Sequence, residues 1–240
     1  MSEPLLQYPQ GCRVGRLLRR EKRFFMYVEL DGREVAAHTN NTGTMLGLLR
    51  RGAPVLLSPA TSPGRRLAWT VEALGLPCAS GFFWVGVNTS VPNRLLSALF
   101  GTGLLPWARG YSALKREAVC GESRLDGLLT GEGMPELWVE CKNVTLVEDG
   151  VAAFPDAVTA RGAKHLQTLM DIRAAGKRAA MLYIIQRPDG RCFSAADYVD
   201  PVYAAALRRA AEAGVEVHPV VVHVSEDGIR YGGELPFLND

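Results

Sequence analysis

Short stretches of alternating apolar and polar residues fill the first third of the chain, the pattern typical of half-buried β-strands. Turn-forming or strongly charged residues separate these stretches, and Asp31-Gly32 is a strong hairpin signal. Such a series of short strands between residues 11 and 75 predicts a small barrel. The predicted strands are Arg13–Leu18, Phe24–Leu30, Glu34–His38, Val55–Ser58 and Leu67–Ala73.

Beyond about residue 84 the pattern changes to helices and longer strands, so we place a domain boundary there and expect domains 1–82 and 83–240. Asp156 is interpreted as the N-cap of the third helix. The apolar run 178–186 is typical of a central buried strand. The predicted helices are 91–100, 111–119, 157–175 and 202–213, and the predicted strands are 123–130, 137–145, 151–154, 178–186 and 215–224.

Strands 123–130 and 137–145 form a predicted hairpin, because the loop between them holds two glycines and a proline. Residues two apart in a strand project to one face, so Glu140 and Lys142 point together while Cys141 points away. A symmetric turn would put Asp126 opposite Cys141. An offset of one residue, through a bulge or an asymmetric loop, is needed to put Asp126 on the face of Glu140.

Two carboxylates with open coordination positions suit Mg²⁺, a hard cation that keeps several waters. An ammonium group beside them can position or deprotonate a water. Asp126, Glu140 and Lys142 therefore indicate metal-assisted phosphodiester hydrolysis. The same residues also fit a solvated charged face of a half-exposed strand, and that alternative stays open.

Positive charge is concentrated near the N-terminus. The chain has a net charge of +2, but residues 1–83 hold 11 Lys and Arg against 6 Asp and Glu, whereas residues 84–240 hold 16 against 19. Such a cluster can engage phosphates, or it can be a solvated basic face. Its members are Arg13, Arg16, Arg19, Arg20, Lys22 and Arg23.

A second basic group lies on the predicted helix 157–175. Arg161, Lys164 and His165 stand at i, i+3 and i+4 and therefore share a face. Beside a metal site this face can hold the scissile phosphate; otherwise it is an exposed helical face. Arg124 shares the face of Asp126 and can pair with it or with phosphate.

Longer motifs match a known family. The segments Gly-Glu-Ser-Arg-Leu-Asp (121–126), Val-Glu-Cys-Lys-Asn-Val-Thr-Leu (139–146) and Asn-Thr-Gly-Thr-Met (41–45) closely resemble the sugar fermentation stimulation protein A family of bacteria and archaea. The match covers nearly the whole chain. Gly127 departs from it, because the family tends to have a bulky apolar residue there, and the glycine is expected to mark a bulge.

The resemblance implies an α/β (α+β) fold, with an N-terminal OB-fold barrel followed by a domain like the PD-(D/E)XK nucleases. It implies non-specific DNA binding and a regulatory role in maltose metabolism. It maps the catalytic site onto Asp126, Glu140 and Lys142, and adds Glu117, on a preceding helix, as a further ligand. The metal ligands are then Asp126, Glu140 and Glu117, and the metal is Mg²⁺ or Mn²⁺.

With the resemblance, nine residues are assigned to nucleic-acid binding. Aromatic side chains of the barrel either stack on bases or belong to the core. The nine are Arg16, Lys22, Arg23, Arg65, Arg66, Arg124, Arg161, Lys164 and His165, and the aromatic residues are Phe24, Phe25, Tyr27 and Trp69.

The composition of the chain bears on its cellular location and on the kinds of site it can form. No stretch approaches 18 consecutive apolar residues, and no signal peptide is expected at the N-terminus, so a cytoplasmic protein without a membrane partner is predicted. Five cysteines without Cys-x-x-Cys spacing argue against a zinc site or a disulfide framework. A homodimer is one possible state that the sequence leaves open.

Three hypotheses follow. The first is a DNA-binding protein with a metal-dependent nuclease site. The second is a non-catalytic, non-specific DNA-binding regulator of sugar metabolism. The third is a pair of globular domains that binds a small molecule or a protein.

Overall fold

The computed structural model describes residues 3–60 and 64–239, and they divide into two compact units. The first unit holds the described residues up to Ser90, together with 186–189 and 221–232. The second holds 91–185, 190–220 and the described residues from Gly233 onward.

The first unit is built on a six-stranded sheet of order β4-β3-β2-β5-β6-β7. A parallel pairing of β4 with β6 closes strands β2 to β6 into a barrel, as predicted. Strand β7 was not predicted. The strands are β1 Leu6–Gln7, β2 Arg13–Glu21, β3 Phe25–Leu30, β4 Arg33–His38, β5 Pro54–Pro59, β6 Trp69–Cys78 and β7 Gly81–Gly86. A short antiparallel pairing, Leu6 with Ile229, joins β1 to β16 (Gly228–Glu234).

The barrel closes around apolar residues that alternate along its strands. In β2, Leu17 is buried while its neighbour Arg16 is exposed, and in β3 Met26 and Val28 are both fully buried. Full burial of one such side chain stabilises the fold by roughly 1.5–3 kcal/mol. Of the aromatic candidates, Trp69 packs against this core, whereas Phe24 is 46% exposed.

The second unit is an α/β domain. Its main sheet has the order β15-β13-β10-β9-β8, and a smaller sheet has the order β11-β12-β14. The elements are α1 Val91–Gly101, a 3-10 turn Pro106–Ala108, β8 Ala113–Cys120, β9 Ser123–Thr130, β10 Leu137–Val144, β11 Leu146–Glu148, β12 Val151–Phe154, α2 Ala160–Ala174, β13 Arg178–Ile185, β14 Cys192–Ala195, α3 Pro201–Glu212 and β15 Glu216–Val224. The residues of β15 up to 220 belong to this unit.

The predicted fold class is confirmed: a barrel of the OB type followed by an α/β domain. Strand β13 is central and buried along nearly all its length, and it pairs in parallel with β10. The predicted helix at 111–119 is wrong, because residues 113–120 form edge strand β8 and pair with β9. The run Ala-Leu-Lys-Arg-Glu-Ala is rich in helix formers, but pairing with a neighbouring strand overrides that weak preference.

Helix α2 begins three residues later than predicted. Its N-cap is Thr159, whose hydroxyl accepts a hydrogen bond from the Gly162 N–H at 3.1 Å, so the assignment of Asp156 as the cap is wrong. A buried stripe of Leu166, Leu169 and Ile172 fixes the helix against its unit. Among the described residues, no helix is both long and apolar enough to cross a membrane.

Candidate active site

The pairing of β9 with β10 places Asp126 and Glu140 side by side. Leu129 pairs with Leu137 and Gly127 pairs with Val139, so the next position sets Asp126 across from Glu140. In this register the centre of the hairpin falls on one residue and not between two residues. That difference gives the offset of one residue that brings Asp126 to the face of Glu140. The register passes through Gly127 without a shift, so the expected bulge there is wrong.

Glu140 is a buried carboxylate, only 2% exposed. Its Oε1 accepts a hydrogen bond from Lys142 Nζ at 2.5 Å and also contacts His165 Nδ1. Burial raises the pKa of Glu140, but the hydrogen bonds from His165 and Lys142, together with the charge of Lys142, outweigh burial and hold that pKa below its ordinary value. Its other oxygen, Oε2, is buried and has no hydrogen-bond partner among the described residues.

Asp126 is held by two donors. Its Oδ2 accepts from the Cys141 N–H at 2.7 Å, and its Oδ1 accepts from Asn93 Nδ2 at 2.8 Å. Burial raises the pKa of Asp126 to about 6, and the negative charge of Glu140 adds to this increase. Two carboxylates that destabilise each other's charge form a site that a cation would stabilise.

These residues fit a hard divalent cation better than a cation that needs a full protein cage. The described residues contain no group of three or more His, Cys, Asp and Glu side chains arranged around one metal position. Mg²⁺ and similar ions take one or two carboxylates and complete their shell with water and substrate oxygens. The unpartnered Glu140 Oε2 is a buried oxygen available for such an ion. Burial raises the pKa of the Cys141 thiol well above its ordinary value, and the charges of Asp126 and Glu140 add to this increase.

Glu117 lies on strand β8 rather than on a helix, which corrects the expectation drawn from the resemblance. The flanking pairs, Arg116 with Gly127 and Ala118 with Leu125, set it across from Asp126. Its φ of 48° is rare for a residue with a side chain inside a strand. The exposed carboxylate forms a 3.5 Å ion pair with Arg124, which is where the structure places that predicted phosphate contact.

The three basic residues of α2 take different positions. Lys164 is exposed and lies 3.3 Å from Glu122. His165 is only 6% exposed and is turned inward against Glu140. Arg161 Nε donates to His165 Nε2 at 3.4 Å, so these two residues contact each other.

Asn93 is a site residue that the sequence analysis missed. It lies in the first turns of α1, far from the hairpin in sequence, and its amide reaches Asp126 only because the helix packs on this sheet. A lone asparagine in an amphipathic helix gives no local signal of such a contact.

In the first unit, several predicted phosphate-binding residues are already paired. Arg13 Nη2 donates to both carboxylate oxygens of Asp31, at 2.6 and 2.7 Å, and Arg19 contacts Glu21 and Glu34. Arg20 donates to the backbone carbonyls of Arg23, Asn41 and Gly43 and so holds a loop together.

The remaining basic side chains of that unit are more available. Lys22 and Arg23 form the exposed turn between β2 and β3 and have no ion-pair partner in the part of the chain that the structure describes. Arg16 and Arg66 are exposed as well, and Arg65 donates to Thr70 Oγ1 at 2.9 Å. The structure thus separates this basic group into paired and unpaired members.

Comparisons with known proteins cover both units. Residues 18–87 match the family described as the SfsA N-terminal OB domain, and residues 90–228 match the family described as the sugar fermentation stimulation protein RE domain.

Relatives match over the full length. A sugar fermentation stimulation protein homolog of Maridesulfovibrio salexigens is 53% identical over 98% of both chains, and one of Lawsonia intracellularis is 46% identical over 100% of both. The solved structure of Pyrococcus furiosus SfsA in complex with Ca²⁺ is similar at 29% identity, with a TM-score of 0.88, covering 99% of this chain and 100% of that one.

Proposed function

The chain belongs to the sugar fermentation stimulation protein family, and we propose that it binds DNA and hydrolyses phosphodiester bonds with a divalent metal ion held by Asp126 and Glu140. The observation that carries this proposal is the pair of buried carboxylates on neighbouring strands, one of which keeps an unpartnered oxygen. The Ca²⁺ complex of the Pyrococcus furiosus relative supports a divalent cation in this family. Mg²⁺ or Mn²⁺ is the proposed ion for catalysis.

A bound ion of this kind would supply Lewis-acid polarisation of the phosphate and a more acidic water. The protein's own residues do the rest. Lys142, 2.5 Å from Glu140, keeps an ammonium group at the edge of the site, where it orients the attacking water and stabilises negative charge on the phosphate. Asn93 and the Cys141 N–H hold the Asp126 carboxylate in a fixed orientation.

Glu117 is proposed as a ligand for a second ion, because the strand register sets it across from Asp126. Its exposed carboxylate must first leave Arg124, and an exposed ion pair of this kind stabilises by only about 0–1 kcal/mol. Arg124 is then free to bind phosphate.

DNA binding is proposed for the exposed cations of the first unit, above all Lys22 and Arg23. They lie together on a surface turn without ion-pair partners among the described residues. Contacts of this type bind the phosphate backbone without regard to sequence.

The test is plasmid nicking with Mg²⁺, Mn²⁺ or Ca²⁺. We expect the wild type to nick supercoiled DNA in at least one of these metals, and Asp126→Ala or Glu140→Ala to remove the activity while DNA is still retained. Glu132→Ala is a matched control, because it removes an exposed carboxylate from the loop of the same hairpin. Equal nicking by the wild type and Asp126→Ala would rule the assignment out.

The second candidate is a DNA-binding regulator of sugar metabolism that does not cut. The concentration of basic residues in the first unit favours it, because that charge acts without any metal site. It predicts salt-sensitive DNA retention with no nicking in any divalent metal, and loss of retention in Lys22→Ala or Arg23→Ala.

A further inference from the structure

His165 connects an arginine to the buried carboxylate of the site. Its ring is 6% exposed, its Nδ1 contacts Glu140 Oε1, and its Nε2 lies 3.4 Å from Arg161 Nε. A side chain so buried is poorly placed to bind the phosphate of a large substrate. Its contacts indicate a different role.

The two contacts of the His165 ring determine which of its nitrogens carries the proton. The Nε–H of arginine can only donate, so Nε2 of His165 must be the accepting, unprotonated nitrogen. An ionised carboxylate can only accept, so the nitrogen that contacts Glu140 must carry a proton. Both contacts are satisfied by a neutral ring with its proton on Nδ1. Lys142 Nζ is 3.4 Å from Nδ1, and because both atoms carry hydrogen this is a contact and not a bond.

The donors around Glu140 determine how its two carboxylate oxygens are used. Its Oε1 accepts from the His165 ring and from the Lys142 ammonium, which occupy the lone pairs of that oxygen. Its Oε2 has no partner among the described residues. The two donors therefore fix which oxygen of the carboxylate is left available.

We propose that His165, oriented by Arg161, is a positioning residue that holds Glu140 with Oε2 presented to the metal ion. The inference rests on the proposed function, since it takes Glu140 as a metal ligand. Hydrogen bonds to ligating carboxylates orient them and tune affinity, and losing such an outer partner typically costs about 10–100-fold in metal affinity. The role differs from phosphate binding, which requires an accessible ring.

The geometry separates two conservative substitutions. An asparagine amide places its N–H₂ near the position of the histidine Nδ1, whereas a glutamine amide reaches the position of Nε2. His165→Asn therefore keeps a donor for Glu140, and His165→Gln does not. A ring that only fills space would show no such preference.

The test measures Mn²⁺ affinity by calorimetry for the full-length wild type, His165→Ala, His165→Gln and His165→Asn, with circular dichroism to verify folding. We expect Ala and Gln to weaken Mn²⁺ binding by about 10–100-fold and Asn to retain most of it. His223→Asn, an exposed histidine of the first unit, is the matched control and should leave the affinity unchanged.

A spectroscopic measurement in metal-free protein is independent of binding. Two-bond ¹H–¹⁵N correlations of the His165 ring should have the pattern of the Nδ1-protonated tautomer, and Arg161→Ala should shift the ring away from it. An Nε2-protonated ring in the wild type, or unchanged affinity in a folded His165→Ala, would overturn this inference alone. Absence of both Mn²⁺ and Mg²⁺ binding by the wild type, measured in the same way, would overturn the proposed function, and the inference with it.

Discussion

Of the two buried carboxylates of the proposed site, Asp126 is the one whose charged form the fold disfavours. Its ordinary pKa is 3.8 and burial, with Glu140, raises the folded-state pKa to about 6. A raised pKa means that the stability contributed by this group is fully present below pH 3.8 and is lost as pH rises towards 6. At neutral pH the ionised side chain therefore destabilises the fold.

Asp126→Asn should accordingly raise stability while it abolishes metal-dependent cleavage. The gain over the wild type should appear between pH 4 and 6 and reach about 1–2 kcal/mol at pH 7.5, less than the full shift because one of the two donors to Asp126 then faces an amide N–H. Urea denaturation in the presence of a chelator at pH 4.5 and pH 7.5 measures it. A variant less stable than the wild type at pH 7.5 would contradict the account.

His218, in the second unit, should give a linkage of the same sign as Asp126, with the difference that the form favoured by the fold is the charged one. Burial lowers the pKa of His218, but hydrogen bonds and charges of Glu216 and Glu234 outweigh burial and raise it. Trp107 stacks on the ring with the two centroids 4.4 Å apart, and Arg178 pairs with Glu216 Oε2, the same oxygen that His218 contacts. The stability from the charged imidazole is present below its ordinary pKa of 6.5 and is lost as pH rises through the raised value.

The substitution His218→Gln removes this titration. We expect the wild type to lose stability from about pH 6.5 upward and the variant to lose less, because its side chain does not change charge. Chemical denaturation every half unit between pH 5.5 and 8.5 shows the difference, and parallel curves for the two proteins would disprove the linkage.

Part of the candidate site could be predicted from the spacing of single residues in the sequence. The period of two in a strand is enough to pair Glu140 with Lys142, and the period of a helix groups Arg161 with His165. Neither period tells which side of α2 faces the sheet. The hairpin register and the contact of Asn93 depend on loop shape and helix packing, which leave no local mark in the sequence.

At the scale of elements, Gly127 joins a strand to a helix by close packing. A Cβ placed there would lie 2.7 Å from Leu96 of α1 and 3.0 Å from Leu114 of β8. The glycine thus lets α1 approach the sheet, and α1 carries Asn93 to Asp126. The space that a bulkier residue would fill is taken by Leu96 in this chain.

Gly127→Leu should therefore destabilise the protein by about 1–3 kcal/mol through overpacking. Adding Leu96→Ala should restore part of the loss, because it removes the clashing atoms. Gly101→Ala is the matched control: its Cβ meets nothing within 4 Å, so stability should be unchanged or slightly higher. Thermal unfolding of the three variants and the wild type decides the matter, and a Gly127→Leu protein as stable as the wild type would refute the packing argument.

The alternating strands of the barrel and the continuous apolar run of β13 were predictable. Strand β8 was not, because Ala, Leu, Lys and Glu favour helices and only its pairing with β9 makes it extended. Short strands such as β11 and β14 contain too few residues to show a period. Their formation depends on pairing with β12.

For the whole molecule, charge is distributed unevenly along the chain. The basic excess lies in residues 1–83, and the acidic excess lies in the part that contains the carboxylate site. The change from short strands to helices along the sequence predicts that the chain forms two structural units. The segments 186–189 and 221–232, which return to the first unit, carry no such local sign.

This division predicts that DNA affinity and catalysis can be changed separately. Each Lys or Arg that contacts phosphate adds about 0.9 to the slope of log affinity against log salt. The double variant Lys22→Ala/Arg23→Ala should reduce that slope by up to about 1.8, because both cations are free of ion pairs among the described residues. The cleavage rate at saturating protein should change little, since neither residue belongs to the unit that holds Asp126 and Glu140.

Arg13→Ala provides the matched control. It removes one positive charge from the same unit, but Arg13 is already held by both oxygens of Asp31, so the slope should stay close to that of the wild type. Asp126→Ala should also leave the slope unchanged while it removes cleavage. Fluorescence anisotropy of a labelled duplex between about 50 and 200 mM salt covers the range in which phosphate contacts dominate affinity. Equal slopes for Arg13→Ala and the double variant would mean that net charge, and not the exposed turn at Lys22 and Arg23, determines binding.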